Sequence, residues 1–278
     1  MSLARKAWNE AKMEQNKEEN AKEGNGRKVN TIQSVDRALR ILEVIARAGR
    51  DLGLVEVSKL VALDPSTTYR LLKTLEAHQY VKQGQKKDKY SLGFKAFEIG
   101  NAIPLLTHLR GACKGPLEAL RDRTGETANL GVRDGQEALY VEQISAQQYT
   151  LRVSSEVGRR VPLHSTAIGK VILASFGHAE LNAYLKRPLT PFTSKTFTNA
   201  DTLREHLEEI RKRNWALDDE EFEFGARCIA TPVRNAANQV IAAVSISGPS
   251  VRIGEERITF FLPLLLQTAT LISNSLNY

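Results

Sequence analysis

The chain has 278 residues, 42% hydrophobic and 26% charged, ordinary proportions for a globular protein and long enough for two domains. Its net charge of +7 permits a polyanionic partner without proving one. No uninterrupted apolar run reaches the roughly 18 residues of a membrane span, and 260–266 is short and holds Pro263.

The first 28 residues lack the apolar core of a secretory signal. Residues 1–30 mix lysines with Glu14, Glu18, Glu19 and Glu23, which reads as a solvated arm. From Thr31 the pattern turns helical: Val35, Ala38, Leu39, Leu42, Ile45 and Ala46 repeat at helical spacing and Gly49 ends the run. A short helix over 54–61 follows, with Val57, Leu60 and Val61 expected inward. Only Ala62, Leu63 and Asp64 separate it from the next helix, a helix-turn-helix spacing.

That next helix, over 65–78, carries the most information. Asp64 suits the N-cap and Pro65 the first helical position. Leu71, Leu72 and Leu75 share one face, opposite Ser66, Thr67, Arg70, Lys73 and Thr74. Hydroxyls and cations in that arrangement can donate to phosphates and base edges, although amphipathic basic helices are also common on protein surfaces. Its neighbours decide between the two. Residues 80–83 and 89–93 form a β-hairpin around a basic tip that includes Lys86 and Lys87. Three helices followed by a basic wing predict a winged-helix DNA-binding domain over 31–93.

A helix over 94–103 breaks before Pro104 and serves as a linker over 94–104. Another helix, over 105–124, is expected to kink near Gly115 and Pro116. The remainder alternates strands (127–132, 137–144, 149–154, 215–217, 227–233, 239–248) with helices (166–176, 199–214, 257–276). That order predicts an α+β domain over 105–278.

Several stretches of this domain invite a chemical reading. Ser165 or Thr166 can cap a helix whose free N–H groups suit a carboxylate, or the cap can be purely structural. Asp218, Asp219, Glu220 and Glu221 read as a solvated loop with one inward Asp, since no His accompanies them as a metal ligand. Ser245 and Ser247 share a strand face by period two and suit a polar pocket floor. Cys113 and Cys228 are the two cysteines; their lack of paired spacing fits a reducing cytoplasm and argues against a disulfide framework or structural zinc. Cys228 reads as a small buried hydrophobe. As a nucleophile it would need a base, for which His164 is the only plausible partner.

Taken together, 35–39 (VDRAL), 64–72 (DPSTTYRLL), 90–93 (YSLG), 163–165 (LHS), Gly169-Lys170, and 218–220 (DDE) through 225–228 (GARC) resemble the IclR family of bacterial transcription regulators. The resemblance spans about 31–275, with the motifs in the family's order. It implies an N-terminal winged helix-turn-helix, a linker helix and a C-terminal GAF/profilin-like effector-binding domain. It also implies a homodimer or tetramer binding a double-stranded DNA operator. Effectors of the family are commonly small organic acids: glyoxylate, pyruvate, sugar acids or aromatic acids.

On this resemblance the DNA-binding residues are Ser66, Thr67, Thr68, Tyr69, Arg70 and Lys73 on the helix and Lys86, Lys87 and Lys89 on the wing. The effector-binding residues are Ala167 and Ile168, through their backbone amides, with Asp218, Cys228, Ser245 and Ser247. No catalytic residue, metal or cofactor is implied, and RNA polymerase becomes a partner if the protein activates. Two departures stand out. Ala62 occupies a turn position where the family usually has Gly, predicting slight strain, and Ile168 is bulkier than the usual small residue. The expected location is cytoplasmic, with no membrane partner. The rival readings are a thiol hydrolase using Cys228 and His164, and a ligand sensor acting through a protein partner.

Overall fold

The computed structural model describes residues 31–276 except 85–87, 152 and 154–155. The N-terminal arm and the wing lysines Lys86 and Lys87 lie outside the described residues. The described chain divides into two compact units that meet between Thr107 and His108.

The first unit runs α1 (Gln33–Ala48), β1 (Leu52–Gly53), α2 (Leu54–Val61), α3 (Pro65–Ala77), β2 (Val81–Gln83), β3 (Lys89–Leu92) and α4 (Phe94–Asn101). Its core gathers Ile41, Ile45, Val57, Leu72, Val81 and Tyr90. The three strands form an antiparallel sheet in the order β1-β3-β2, with Lys82 opposite Ser91 and Leu52 opposite Tyr90. Four residues of the expected inward stripes are instead exposed: Val35, Leu39 and Ala46 on α1, and Leu60 on α2. On α1 the apolar residues make two stripes, and the core takes the one centred on Ile41 and Ile45. Among the described residues α4 buries none of its side chains, and Phe94 and Phe97 are 76% and 67% exposed.

The second unit begins within α5 (Pro104–Thr124) and continues through β4 (Thr127–Asp134), β5 (Glu137–Ile144), β6 (Arg160–Pro162), α6 (Ala167–Ala174), α7 (His178–Leu185), α8 (Ala200–Arg213), β7 (Ala216–Asp219), β8 (Ala226–Arg234), β9 (Val240–Pro249) and α9 (Glu255–Ser275). The strands form one antiparallel sheet, ordered β6-β5-β4-β9-β8-β7. The fold is α+β. On one face Ala230 and Ala243 join Ile172, Leu181, Leu203 and Leu207 of α6, α7 and α8 in a single core. Alternate strand residues such as Ile229, Val244 and Ile246 point the other way, and α9 packs against β8 and β9.

Four expectations need correction. The described part of 149–154 is not a strand; the edge strand is β6. The chain makes a longer excursion and returns at Gly158 (φ 86°), whose N–H donates to the Tyr140 carbonyl at 2.8 Å. The helix α7 was not read from the sequence. Asp218 and Asp219 belong to β7 rather than to a loop. Finally, α9 is by length and composition long enough to cross a membrane. It carries Pro263, yet Phe261, Leu265 and Ile272 on it have no exposed surface, so this helix contributes to the unit's core.

Candidate functional site

The local chemistry of 53–78 explains why two helices stand so close. Glu56 reaches back to accept the Gly53 N–H at 2.9 Å and pairs with Arg50 at 2.9 Å, closing the first turn of α2. Ala62 ends α2 in the left-handed conformation (φ 55°, ψ 46°), and the following Leu63 N–H donates to Ser58 O at 3.0 Å. The expectation of strain at Ala62 meets a positive φ there, which costs an L-residue with a Cβ about 1 kcal/mol or more. Asp64 then caps α3: its Oδ1 accepts from Thr67 N at 2.8 Å and from Ser66 Oγ at 2.6 Å. Those bonds hold its carboxyl well below the usual carboxylate range.

The solvent face of α3 carries Ser66, Tyr69, Arg70 and Thr74, with Thr67 and Lys73 at its margins. Lys73 donates to Glu76 at 2.7 Å and lies 5.8 Å from the Tyr69 ring centroid. Thr68 is a correction. It is fully buried, and its hydroxyl donates to the Asp64 carbonyl at 2.9 Å, so it braces the cap instead of facing a ligand. Lys89 on β3 is half-buried beside the undescribed tip.

In the second unit, all six residues expected to meet a small acid lie on the α6-covered face. Cross-strand register sets Asp218 opposite Cys228 and Cys228 opposite Ser247. In the next row Ala230 opposes Ser245, and Ser245 opposes Asn129. Asn129 Nδ2 donates to Ser245 Oγ at 3.2 Å and Ser247 Oγ at 3.0 Å, and it accepts from Gln143 at 3.4 Å. The floor is therefore a hydrogen-bonded row with both serines buried.

The N-terminus of α6 seats itself beside this floor because two glycines let backbones approach. A Cβ on Gly131 would lie 2.8 Å from Ile168 Cγ2, and one on Gly169 would lie 2.5 Å from the Pro162 carbonyl. The bulky Ile168 thus packs against the bare strand backbone, in the core. Thr166 caps the helix: it accepts from Gly169 N–H at 3.1 Å and donates to Pro162 O at 2.8 Å. Ser165 beside it is buried, with no partner for its hydroxyl among the described residues.

The acidic stretch departs from expectation because two carboxylates turn inward, not one. Asp218 Oδ1 accepts the backbone N–H groups of Glu221 (2.8 Å) and Phe222 (3.4 Å). Glu221 forms an ion pair with Lys170 of α6, whose side chain has 0% exposure and also donates to Leu217 O. Burial, then the charge of Glu221, pushes the Asp218 carboxyl up, so it retains a proton more readily than a surface aspartate. Asp219 and Glu220 stay outside, bridged by Lys195.

Sequence reasoning missed Asn129, Lys170, Glu221 and Arg159 as contributors to this face. Thr127 and Asn129 alternate on one strand and so share a face, a signal of the kind already used for Ser245 and Ser247. Lys170 sits among apolar neighbours on a helix buried along its whole length.

The hydrolase dyad is not assembled. Both His164 nitrogens are engaged elsewhere, Nδ1 with Tyr184 Oη at 3.3 Å and Nε2 with the Thr190 carbonyl at 3.0 Å. Burial lowers the His164 pKa to about 4 and pushes the half-buried Cys228 thiol up, aided by Asp218. A protonated thiol without a base is a poor nucleophile.

Two family models match the chain. The IclR helix-turn-helix domain matches residues 34–85, and the bacterial transcriptional regulator IclR C-terminal domain matches 106–274. The chain is similar to the HTH-type transcriptional regulator XynR of Escherichia coli, 41% identical over 89% of this chain and 98% of that protein. It is also similar to the E. coli transcriptional repressor IclR, at 32% identity over 86% of this chain and 88% of the relative. The crystal structure of the Thermotoga maritima IclR superposes with a TM-score of 0.75 at 33% identity, covering 89% of this chain and all of that one. These relatives are regulators rather than enzymes, which leaves the thiol-hydrolase reading without support. The chain belongs to the IclR family of bacterial transcription regulators.

Proposed function

We propose that this regulator reads an operator with the exposed face of α3 and is controlled by a small organic acid held against the sheet of its second unit. The observation that carries the first half is the α3 surface, where Ser66, Tyr69 and Arg70 stand exposed on a helix capped by Asp64 and rooted by Leu72. Thr67, Lys73 and Arg70 supply phosphate or base-edge contacts, while Lys86, Lys87 and Lys89 hold flanking phosphates. Operator half-sites then lie about one or two helical turns apart, because the protein acts as a homodimer. The apolar residues of α1 and α4 left exposed in the described unit (Val35, Leu39, Phe94 and Phe97) support that assembly. A tetramer joins two such dimers, and the protein works in the cytoplasm.

The acid's carboxylate meets the Ala167 and Ile168 amides at the start of α6, and its polar groups meet Asp218, Cys228, Ser245 and Ser247. What supports this is the buried polar floor beside a helix N-terminus, which favours negative charge. Acid binding biases the relative placement of the two DNA-reading units through the segment around α4.

The DNA half is tested by fluorescence anisotropy on DNA from upstream of the protein's own gene, across a salt series. Replacing Lys86 and Lys87 by Ala should weaken binding to all sequences and reduce the salt slope by about 2. An unchanged slope removes the wing from the interface.

A further inference from the structure

Buried polar atoms without a partner are rare in folded proteins, and each calls for an explanation. Among the described residues, Arg159 Nη2, Ser165 Oγ and Glu221 Oε2 are three such atoms, and all belong to the α6-covered face. Arg159 precedes β6, two residues before Val161 of the α6-side core, so alternation turns its side chain the same way. Its carbonyl accepts the Tyr140 N–H at 2.9 Å, and Tyr140 is the cross-strand neighbour of Gly131, on which Ile168 rests. Ser165 immediately precedes the α6 cap. Glu221 is held through its other oxygen by Lys170 of α6. Phe222 connects them: its ring lies 5.6 Å from the Arg159 guanidinium, and its N–H donates to Asp218.

The chemistry left open is specific. A guanidinium nitrogen asks for an acceptor, best an anion. A carboxylate oxygen whose partner Lys170 already occupies its twin asks for a donor. An unsubstituted carboxylic acid answers only the first demand, whereas an acid carrying hydroxyls along its chain answers both.

We propose that Arg159 and Glu221 select the effector, Arg159 pairing with the carboxylate oxygen that the α6 amides leave free and Glu221 accepting a hydrogen bond from a hydroxyl, so that the ligand is a hydroxy-carboxylic acid. The proposal rests on the organic-acid reading above.

The test uses full-length protein without DNA, with binding followed by calorimetry and thermal shift. The probes are matched pairs of hydroxylated and unsubstituted acids, lactate with propionate and gluconate with hexanoate, plus sorbitol as a neutral polyol. In one pair the hydroxy acid should bind at least tenfold more tightly than its partner, and sorbitol should not bind. Arg159→Gln should weaken that acid at least tenfold while leaving the melting temperature of the free protein unchanged or raised, which a merely structural arginine would not do. Glu221→Gln should shrink the ratio within the pair toward one. If that variant does not fold, the wild-type ratio and Arg159→Gln still decide the matter. Acids that bind with no preference for hydroxyls, or that ignore Arg159→Gln, overturn this proposal and leave the organic-acid reading standing. Failure of all four acids to bind overturns this proposal.

Discussion

Lys170 and Glu221 form an ion pair sealed inside the second unit, with 0% and 6% of their side chains exposed. The pair ties α6 to the turn after β7, because Lys170 also donates to Leu217 O and the Glu221 N–H donates to Asp218. Removing one member of a buried pair strands the other without compensation, at a cost of about 3–5 kcal/mol. Lys170→Met should therefore lower stability by that order in urea unfolding, and the double change Lys170→Met with Glu221→Leu should recover much of it. A single variant as stable as wild type would mean that the pair is not formed.

Ala62 offers the opposite opportunity. It sits at φ 55° at the end of α2, where a Cβ is unfavourable and glycine is not. Ala62→Gly should stabilise the helix-turn-helix by about 0.5–1 kcal/mol, after glycine's greater unfolded-state entropy is counted. Denaturant unfolding reads the difference, and a loss of stability would contradict the conformation described.

Arg70 and Thr68 are two residues apart and should behave as opposites. Among the described residues the Arg70 guanidinium has no hydrogen bond or ion pair, and it faces solvent. Arg70→Ala should leave the melting temperature nearly unchanged and weaken operator binding by about 1–3 kcal/mol, with specificity relaxed at one base position. Thr68→Ala removes a buried hydroxyl and methyl and should cost stability by about 1–2 kcal/mol, with selectivity for the operator retained. Stability and anisotropy measured on both variants separate the roles.

His164 gives the second unit an acid-sensitive component. Burial lowers its pKa from 6.5 to about 4, so the unfolded chain binds a proton there more readily than the folded one. Its contribution is present in full above about pH 6.5 and is lost as pH falls toward 4, about 3 kcal/mol in all. His206 shifts the same way, also to about 4. Asp218, raised, runs in the opposite sense, but it is common to wild type and His164→Asn and cancels in their difference. That difference in unfolding free energy should shrink steadily from pH 6.5 to pH 4; a flat difference would show that His164 takes up its proton in the fold as readily as in the unfolded chain.

The first unit was legible because local rules point one way. Asp64, Pro65 and the 71, 72, 75 spacing place α3 within a residue of its observed bounds, and Asn199 likewise marks the start of α8. What periodicity cannot rank is competing stripes: Val35 and Leu39 are as apolar as Ile41, and only tertiary packing shows which stripe the core takes. The second unit was legible strand by strand but not in its register. Asp218, Cys228 and Ser247 lie 10 and 19 residues apart in sequence, yet pairing sets them in one row. Lys170 and Glu221, 51 residues apart, carry no local signal that they meet, and a run of four carboxylates looks solvated until one of them finds a buried cation. Thr68 misled for a related reason, since a hydroxyl after an N-cap suits solvent and backbone equally well.

On the proposed function, a small acid bound in the second unit alters how the first unit holds its operator. The most direct measurement is fluorescence anisotropy of the full-length protein on its upstream DNA at fixed salt. It would be titrated with each small carboxylic acid and with the matching carboxamide, using unrelated DNA as control. Binding should be selective for the upstream DNA, and at least one acid should shift it while its carboxamide does not. Selective binding that stays unchanged under saturation by an acid shown calorimetrically to bind the protein would contradict it.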